Sequence, residues 1–127
     1  MTAPNLNLEK IGQVAVPVKN LARAVEFYRD RLGMQFLFEA PGMAFFQLGE
    51  VRLLLTLPEG DEDAPAASIL YYTVSDIQAA YGSLVEGGVE ILEKPTVVHR
   101  TGASELWMTF FRDTEENTLA LMSEIAV

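Results

Sequence analysis

The first half of the chain alternates hydrophobic and polar positions in a way that predicts one strand, one helix and three more strands. Residues 11–18 (IGQVAVPV) are typical of a strand with three valines on one face, Val14, Val16 and Val18. Apolar residues then recur at helical spacing after Asn20, a good N-cap, up to Gly33, a good helix end. Three apolar runs follow, at residues 34–38, 43–48 and 51–57.

The second half of the chain repeats this order. A predicted strand at 69–74 precedes a helix that Asp76 caps and that Gly87 and Gly88 end. Aligning Asn20 on Asp76 superposes the two opening strands and the two apolar helix stripes. Further strands are predicted at residues 89–92, 97–100, 105–112 and 118–124.

A short acidic segment separates the two halves. Residues 58–68 (PEGDEDAPAAS) combine acidic residues with proline and glycine, which predicts a solvated linker. A chain of 127 residues is long enough to bury a substantial core. We therefore expect one domain over residues 1–127, with module one at about 9–57 and module two at about 69–125.

Charge and composition argue against several classes of function. The chain carries 18 acidic and 9 basic residues, and the basic residues are scattered, so we expect no nucleic-acid partner. It has no cysteine, which excludes disulfides, a thiolate nucleophile and sulfur metal ligands. No segment approaches the ~20 apolar residues of a membrane span, and the N-terminus lacks a signal-peptide pattern. We expect a cytoplasmic protein without a membrane partner.

The duplicated β-α-β-β-β order resembles the vicinal oxygen chelate superfamily, which includes glyoxalase I, extradiol dioxygenases, and fosfomycin- and bleomycin-resistance proteins. The resemblance spans residues 11–124 and rests on QVAVPVKNLARAVEFYRDRLGM, YYTVSDIQAAYGSLVEGGVEI and FFRDTEENTLALM. The last segment is a variant of the family's closing turn. The resemblance implies an α+β fold in which tandem βαβββ modules form a curved mixed sheet around a cavity. It also implies a homodimer.

The resemblance also places the family's metal ligands at four strand positions, two in each module. Here these positions hold Gln13, Leu54, Ile69 and Ala120. A divalent catalytic ion normally needs about three ligands from histidine, carboxylate or amide groups, and only Gln13 offers one. We therefore expect no metal at these positions and no cofactor. A displaced metal site built from Gln13, His99 and Glu105 is the alternative.

Strand alternation predicts which side chains share the cavity face with Gln13. They are Ala15, Leu54, Thr56, Ile69, Tyr71, Thr73, Ala120 and Met122, whereas Val14, Val16, Leu70, Tyr72, Leu119 and Leu121 should pack under the helices. A mostly apolar face with a few polar points is typical of a pocket for a small organic molecule. We expect Gln13 and Tyr71 to orient the ligand by hydrogen bonds and Met122 to adapt to its shape. For Gln13, an intramolecular hydrogen bond is the alternative.

Four further residues are candidates for chemistry or ligand contact. His99, the only histidine, is a candidate general acid or base, with Glu105 predicted to lie near it across a hairpin; an ordinary strand-end histidine is the alternative. Trp107 is expected to supply apolar contact in the core, the ligand pocket or a dimer interface. Arg52 either pairs with an anionic ligand or covers apolar surface with its stem.

Three functional hypotheses follow from these observations. The first is a protein that binds a small, largely apolar organic ligand between the modules without the usual divalent metal, as the resemblance to bleomycin-resistance proteins implies. The second is a lyase, isomerase or oxygenase that uses His99 or a displaced metal site. The third is a structural or regulatory module with no ligand. Fold likeness alone does not choose among them.

Overall fold

The computed structural model describes residue 6, residues 9–58 and residues 68–127. The central part of the predicted linker, residues 59–67, lies outside the described residues. Module one consists of β1 (Gln13–Pro17), α1 (Leu21–Glu26), a π-helical turn (Phe27–Arg31), β2 (Gln35–Ala40), β3 (Met43–Leu48) and β4 (Val51–Thr56). Module two consists of β5 (Leu70–Thr73), α2 (Ile77–Glu86), β6 (Glu90–Arg100), β7 (Ser104–Arg112) and β8 (Thr118–Ala126).

Each module forms one four-stranded mixed sheet. The strand orders are β1-β4-β3-β2 and β5-β8-β7-β6, so the two sheets have the same topology. In both, the first and last strands pair in parallel and the remaining strands pair antiparallel. The parallel pairing requires a crossover, which the helix of each module provides. The predicted α+β fold of duplicated βαβββ modules is thus confirmed.

The two predicted helix caps are confirmed. The Asn20 side chain accepts a hydrogen bond from the Arg23 N–H, and the Asp76 side chain accepts one from the Ala79 N–H, each at 3.0 Å. Helix α1 then widens into a π-helical turn, which the sequence pattern did not predict. In this turn the Leu32 N–H donates to the Phe27 carbonyl, and the neighbouring residues Phe27 and Tyr28 are both buried.

The strands predicted at 89–92 and 97–100 are in fact one strand, β6. Pro95 lies within β6 and is tolerated because β6 is the outer strand of its sheet and pairs only with β7. The pairing of β6 with β7 shifts register between Ile91 and Glu93, between Glu93 and Thr96, and between Val97 and His99. Such bulges let the strand continue past residues that cannot join a regular ladder.

The predicted inward-facing residues form one hydrophobic core shared by both modules. Val16, Leu119 and Leu121 are buried, and Val14, Leu70 and Tyr72 pack against the same core. The largest fully buried side chains include Tyr28 and Phe46 from module one and Phe111 from module two. The helices cover this side of each sheet, whereas no helix of the described residues covers the opposite side.

Candidate functional site

In module one, the uncovered side of the sheet carries the row of residues that begins with Gln13. Gln13 pairs with Arg52 across the β1–β4 ladder, and Ala15 pairs with Leu54, so these four side chains lie on one face. Gln13, Ala15 and Arg52 are exposed, and Leu54 is half-buried. The Gln13 side chain makes no hydrogen bond to another described residue, and its amide is therefore available to a ligand.

Arg52 lies against a pair of aromatic rings on the same face. Its guanidinium carbon is 5.8 Å from the centroid of the Phe45 ring, and the Phe45 ring stacks on Phe38 at a centroid distance of 4.5 Å. This is cation–π geometry, in which the ring face attracts the positive charge. Among the described residues Arg52 has no ion-pair partner, so the guanidinium is free to bind an anionic group.

In module two, the equivalent face is built around Tyr71. Tyr71 pairs with Ala120 and Thr73 pairs with Met122, as the predicted alternation requires. The Tyr71 ring contacts Phe110 edge-to-face, with 6.0 Å between centroids, and Tyr71 is 46% exposed. Both modules therefore present an open face that combines aromatic rings with one or two polar groups.

His99 lies on this face, whereas Glu105 and Trp107 lie on the other side of the sheet. His99 pairs with Leu106, whereas Trp107 pairs with the buried Ser123 and packs against the core. Glu105 instead forms an ion pair with Arg100, whose Nε lies 2.9 Å from Glu105 Oε2. The shift of register between Val97 and His99 places His99 and Glu105 on opposite sides of the sheet, so they do not form an acid–base pair. Trp107 lies on the core side and does not line the face that carries Tyr71 and Met122.

The residues at the family's metal positions do not fit a divalent ion. Gln13 supplies one amide oxygen, and the other positions hold the hydrocarbon side chains of Leu54, Ile69 and Ala120. Nowhere in the described part of the chain do three His, Asp or Glu residues lie close enough together to hold a metal. Of the three residues of the displaced site, Glu105 is engaged by Arg100 on the opposite side of its sheet from His99.

Sequence reasoning missed the aromatic residues that shape the two open faces. Phe45 and Phe110 contact Arg52 and Tyr71, and Phe38 stacks on Phe45, but none of the three was among the predicted ligand contacts. The period-two alternation was an available signal, because adjacent residues in a strand point to opposite sides. Phe46 and Phe111 are fully buried, which leaves Phe45 and Phe110 on the uncovered side.

Comparison with known proteins connects this architecture to one family. The profile of the Glyoxalase/Bleomycin resistance protein/Dioxygenase superfamily matches residues 10–121. The metallothiol transferase FosB of Staphylococcus haemolyticus is 34% identical over 94 residues, which cover 68% of this chain and 66% of FosB. The protein YraH of Bacillus subtilis is 29% identical over 126 residues, covering 88% of this chain and 96% of YraH.

A solved structure shows the same fold. The crystal structure of lactoylglutathione lyase from Agrobacterium tumefaciens superposes with a TM-score of 0.73 at 18% identity, covering 91% of this chain and 94% of that one. Within the described residues, the helices are too short and too polar to cross a membrane. Because the family profile matches nearly the whole chain and the duplicated βαβββ modules agree with it, the chain belongs to the glyoxalase/bleomycin resistance protein/dioxygenase superfamily.

Proposed function

We propose that this protein binds a small, largely apolar organic molecule on the open faces of its two sheets, without the divalent metal common in its family. The observation that carries the proposal is the pair of uncovered aromatic faces. Phe38 is 48% exposed and Tyr71 46% exposed, each beside a second aromatic ring. Large apolar side chains grouped on an exposed face are typical of a ligand or interaction site.

The polar groups on these faces define the orientation of the ligand. Gln13 offers an amide with no partner among the described residues, and the Tyr71 hydroxyl can donate or accept a hydrogen bond. Arg52 supports a ligand that carries a negative charge or an aromatic ring, because its guanidinium already stacks on Phe45. Met122 lies beside Tyr71 on the same face, two residues further along the paired strands, and adds an adaptable apolar contact.

A homodimer completes this proposal. In a single chain the faces around Gln13 and Tyr71 are open to water. A second copy that covers them removes apolar surface from water and encloses the ligand in a cavity. We place the protein in the cytoplasm, in keeping with the absence of cysteine from the sequence.

Ligand screening by thermal shift tests the proposal. A ligand that binds only the folded protein stabilises it by about 2.7 kcal/mol when the ligand concentration is a hundred times its Kd. The melting temperature rises as a result. We expect aromatic and hydrophobic compounds to raise it, and Gln13→Ala or Tyr71→Ala to abolish the shift. Gln78→Ala, which removes an exposed glutamine from α2, is the matched control and should leave the shift unchanged. A complete absence of shifts across the library contradicts the proposal.

A lyase, isomerase or oxygenase that uses His99 or a displaced metal is the second candidate. Two observations favour it: FosB is named a metallothiol transferase, and His99 lies on the open side of its sheet. Metal analysis of the purified protein by mass spectrometry distinguishes the two candidates. A stoichiometric transition metal that disappears in Gln13→Ala or His99→Ala establishes the second candidate. A metal-free protein that still binds its ligand after His99→Ala establishes the first.

A further inference from the structure

A cavity lies between the two modules, away from the open faces. It has a volume of about 370 Å³. Module one contributes the turn after α1, from Arg31 to Met34, and module two contributes α2 together with the helix-facing side of its sheet. The volume falls in the range of small-molecule sites, ~300–1,000 Å³. Because Tyr72 and Leu121 line this cavity whereas Tyr71 and Met122 occupy the opposite side of the sheet, the cavity is separate from the site proposed above.

The walls of this cavity are mainly hydrocarbon. Met34, Leu84, Phe111 and Leu121 line it, and all four are buried members of the shared core. Apolar walls of this kind accept the apolar body of an organic molecule, since neither surface then has to be hydrated. The side chains come from both modules, so a bound molecule contacts both at once.

One cationic group, Arg31, adds chemical selectivity to the apolar walls. Arg31 lines the cavity with an exposed side chain and has no ion-pair partner among the described residues, whereas the nearby Arg29 is paired with Asp30. The Tyr72 hydroxyl is buried and lacks a hydrogen-bond partner within the described part of the chain. Because this oxygen is closed off from water-sized molecules, Tyr72 offers the cavity its ring rather than its hydroxyl.

We propose that this inter-module cavity is a second ligand site, for a small organic monoanion whose apolar body lies against Met34, Leu84 and Leu121 and whose charge is held at Arg31. Arg31 favours an anion because its guanidinium has no ion-pair partner among the described residues, and this local attraction has to outweigh the chain's net charge of −9.

Titration of the full chain with carboxylates and their amides tests this site. Benzoate and hexanoate are compared with benzamide and hexanamide, and binding is followed by the NMR shifts of backbone amides. We expect the carboxylates to shift the amides of residues 31–34 and 72–74 and the neutral amides to bind about fivefold more weakly, the usual scale of an exposed ion pair. The absence of carboxylate-induced shifts in those segments overturns the proposal.

A pair of charge variants isolates the role of Arg31. Arg31→Gln should weaken carboxylate binding about fivefold and leave amide binding unchanged. Arg29→Gln makes the same change of net charge at an arginine that is already paired with Asp30. It should therefore leave the binding of carboxylates and of amides unchanged. Equal effects of the two variants contradict a specific role for Arg31 and overturn the assignment of the anion site.

Two occluding variants test whether the cavity itself is the site. Ala80→Phe fills the space and should remove binding of carboxylates and amides alike. Because overpacking can unfold a protein, Ser83→Phe, at an exposed position that lines the cavity, provides a second occluding variant. Gln13→Ala and Tyr71→Ala, which disable the open faces, should leave this binding intact. If either of these two variants abolishes carboxylate binding, the carboxylate occupies the open faces and the second site does not exist.

Discussion

The hydroxyl of Tyr28 in module one donates a hydrogen bond of 2.8 Å to Oδ2 of Asp113 in module two. Both residues are buried. Oδ2 of Asp113 also accepts from the Asn117 side chain, and Oδ1 accepts from the backbone N–H groups of Glu115 and Asn117. The Asp113 carboxylate is therefore satisfied on both oxygens, and it connects the closing turn of module two to the helical segment of module one.

Replacing Tyr28 by phenylalanine should destabilise the protein by about 1.5–3 kcal/mol. The variant removes a hydrogen bond to a charged group and leaves part of a buried carboxylate without its donor. Urea unfolding monitored by circular dichroism measures the change in the free energy of unfolding. Tyr81→Phe is the matched control, because the Tyr81 hydroxyl makes no hydrogen bond to any described residue and Tyr81 is half-buried. Equal stabilities of the two variants would refute the importance of this contact.

Glu115→Gln should cost about 1–3 kcal/mol of stability, whereas Glu116→Gln should cost almost none. The Glu115 carboxylate accepts the backbone N–H groups of Lys19 and Asn20 at 2.9 Å, and its side chain is only 6% exposed. These bonds satisfy N–H groups just before α1, and the amide of glutamine replaces one charged acceptor with a donor. The neighbouring Glu116 is exposed and accepts no side-chain hydrogen bond from another described residue. Thermal unfolding of both variants at pH 7 measures the difference.

Alkaline pH should destabilise the protein through its buried tyrosines. Burial, and secondly the Asp113 carboxylate, raise the pKa of Tyr28 well above its ordinary value of ~10, and the same causes raise the pKa of Tyr72 to about 12. Above pH ~10 the unfolded chain loses these protons before the folded chain does, so the free energy of unfolding falls as pH rises. The expected slope is about 1.4 kcal/mol per pH unit for each tyrosine.

Unfolding experiments between pH 9 and pH 12 test this dependence. The double variant Tyr28→Phe with Tyr72→Phe should begin with lower stability and lose less of it as pH rises. Below pH ~9 these two tyrosines should add no pH dependence to the stability of the natural chain, because they are protonated in both the folded and the unfolded state there. Parallel stability curves for the double variant and the natural chain would show that other groups control the alkaline transition.

A charge introduced at Tyr71 should disrupt the proposed homodimer. Tyr71→Glu places a carboxylate on the open face of module two, where a second copy would have to bury it without a partner. Val85→Glu introduces the same charge at another exposed apolar residue, on α2, and should leave association unchanged. Sedimentation equilibrium distinguishes the outcomes. Dimerisation of both variants at the affinity of the natural chain would place the interface elsewhere.

The hydrophobic pattern predicted most of the fold because the relevant information is local. The caps Asn20 and Asp76 and the alternation of inward and outward residues depend only on neighbours in the sequence, and the structure confirms them. The same alternation predicted that Tyr71 and Met122 share one face. The sequence also showed that three of the four family metal positions carry hydrocarbon side chains, because the chemistry of a side chain follows from its residue type alone.

Register shifts and contacts between the modules required the tertiary structure. Three register shifts in the pairing of β6 with β7 decide which side of the sheet each residue of β6 faces. As a result, His99 and Glu105 lie on opposite sides. The cavity beside Arg31 and the bond between Tyr28 and Asp113 exist only because two separate modules pack together. Local patterns thus determined the elements and the character of their faces, whereas long-range packing decided which side chains meet, because contacts between distant residues leave no periodic signal in one sequence.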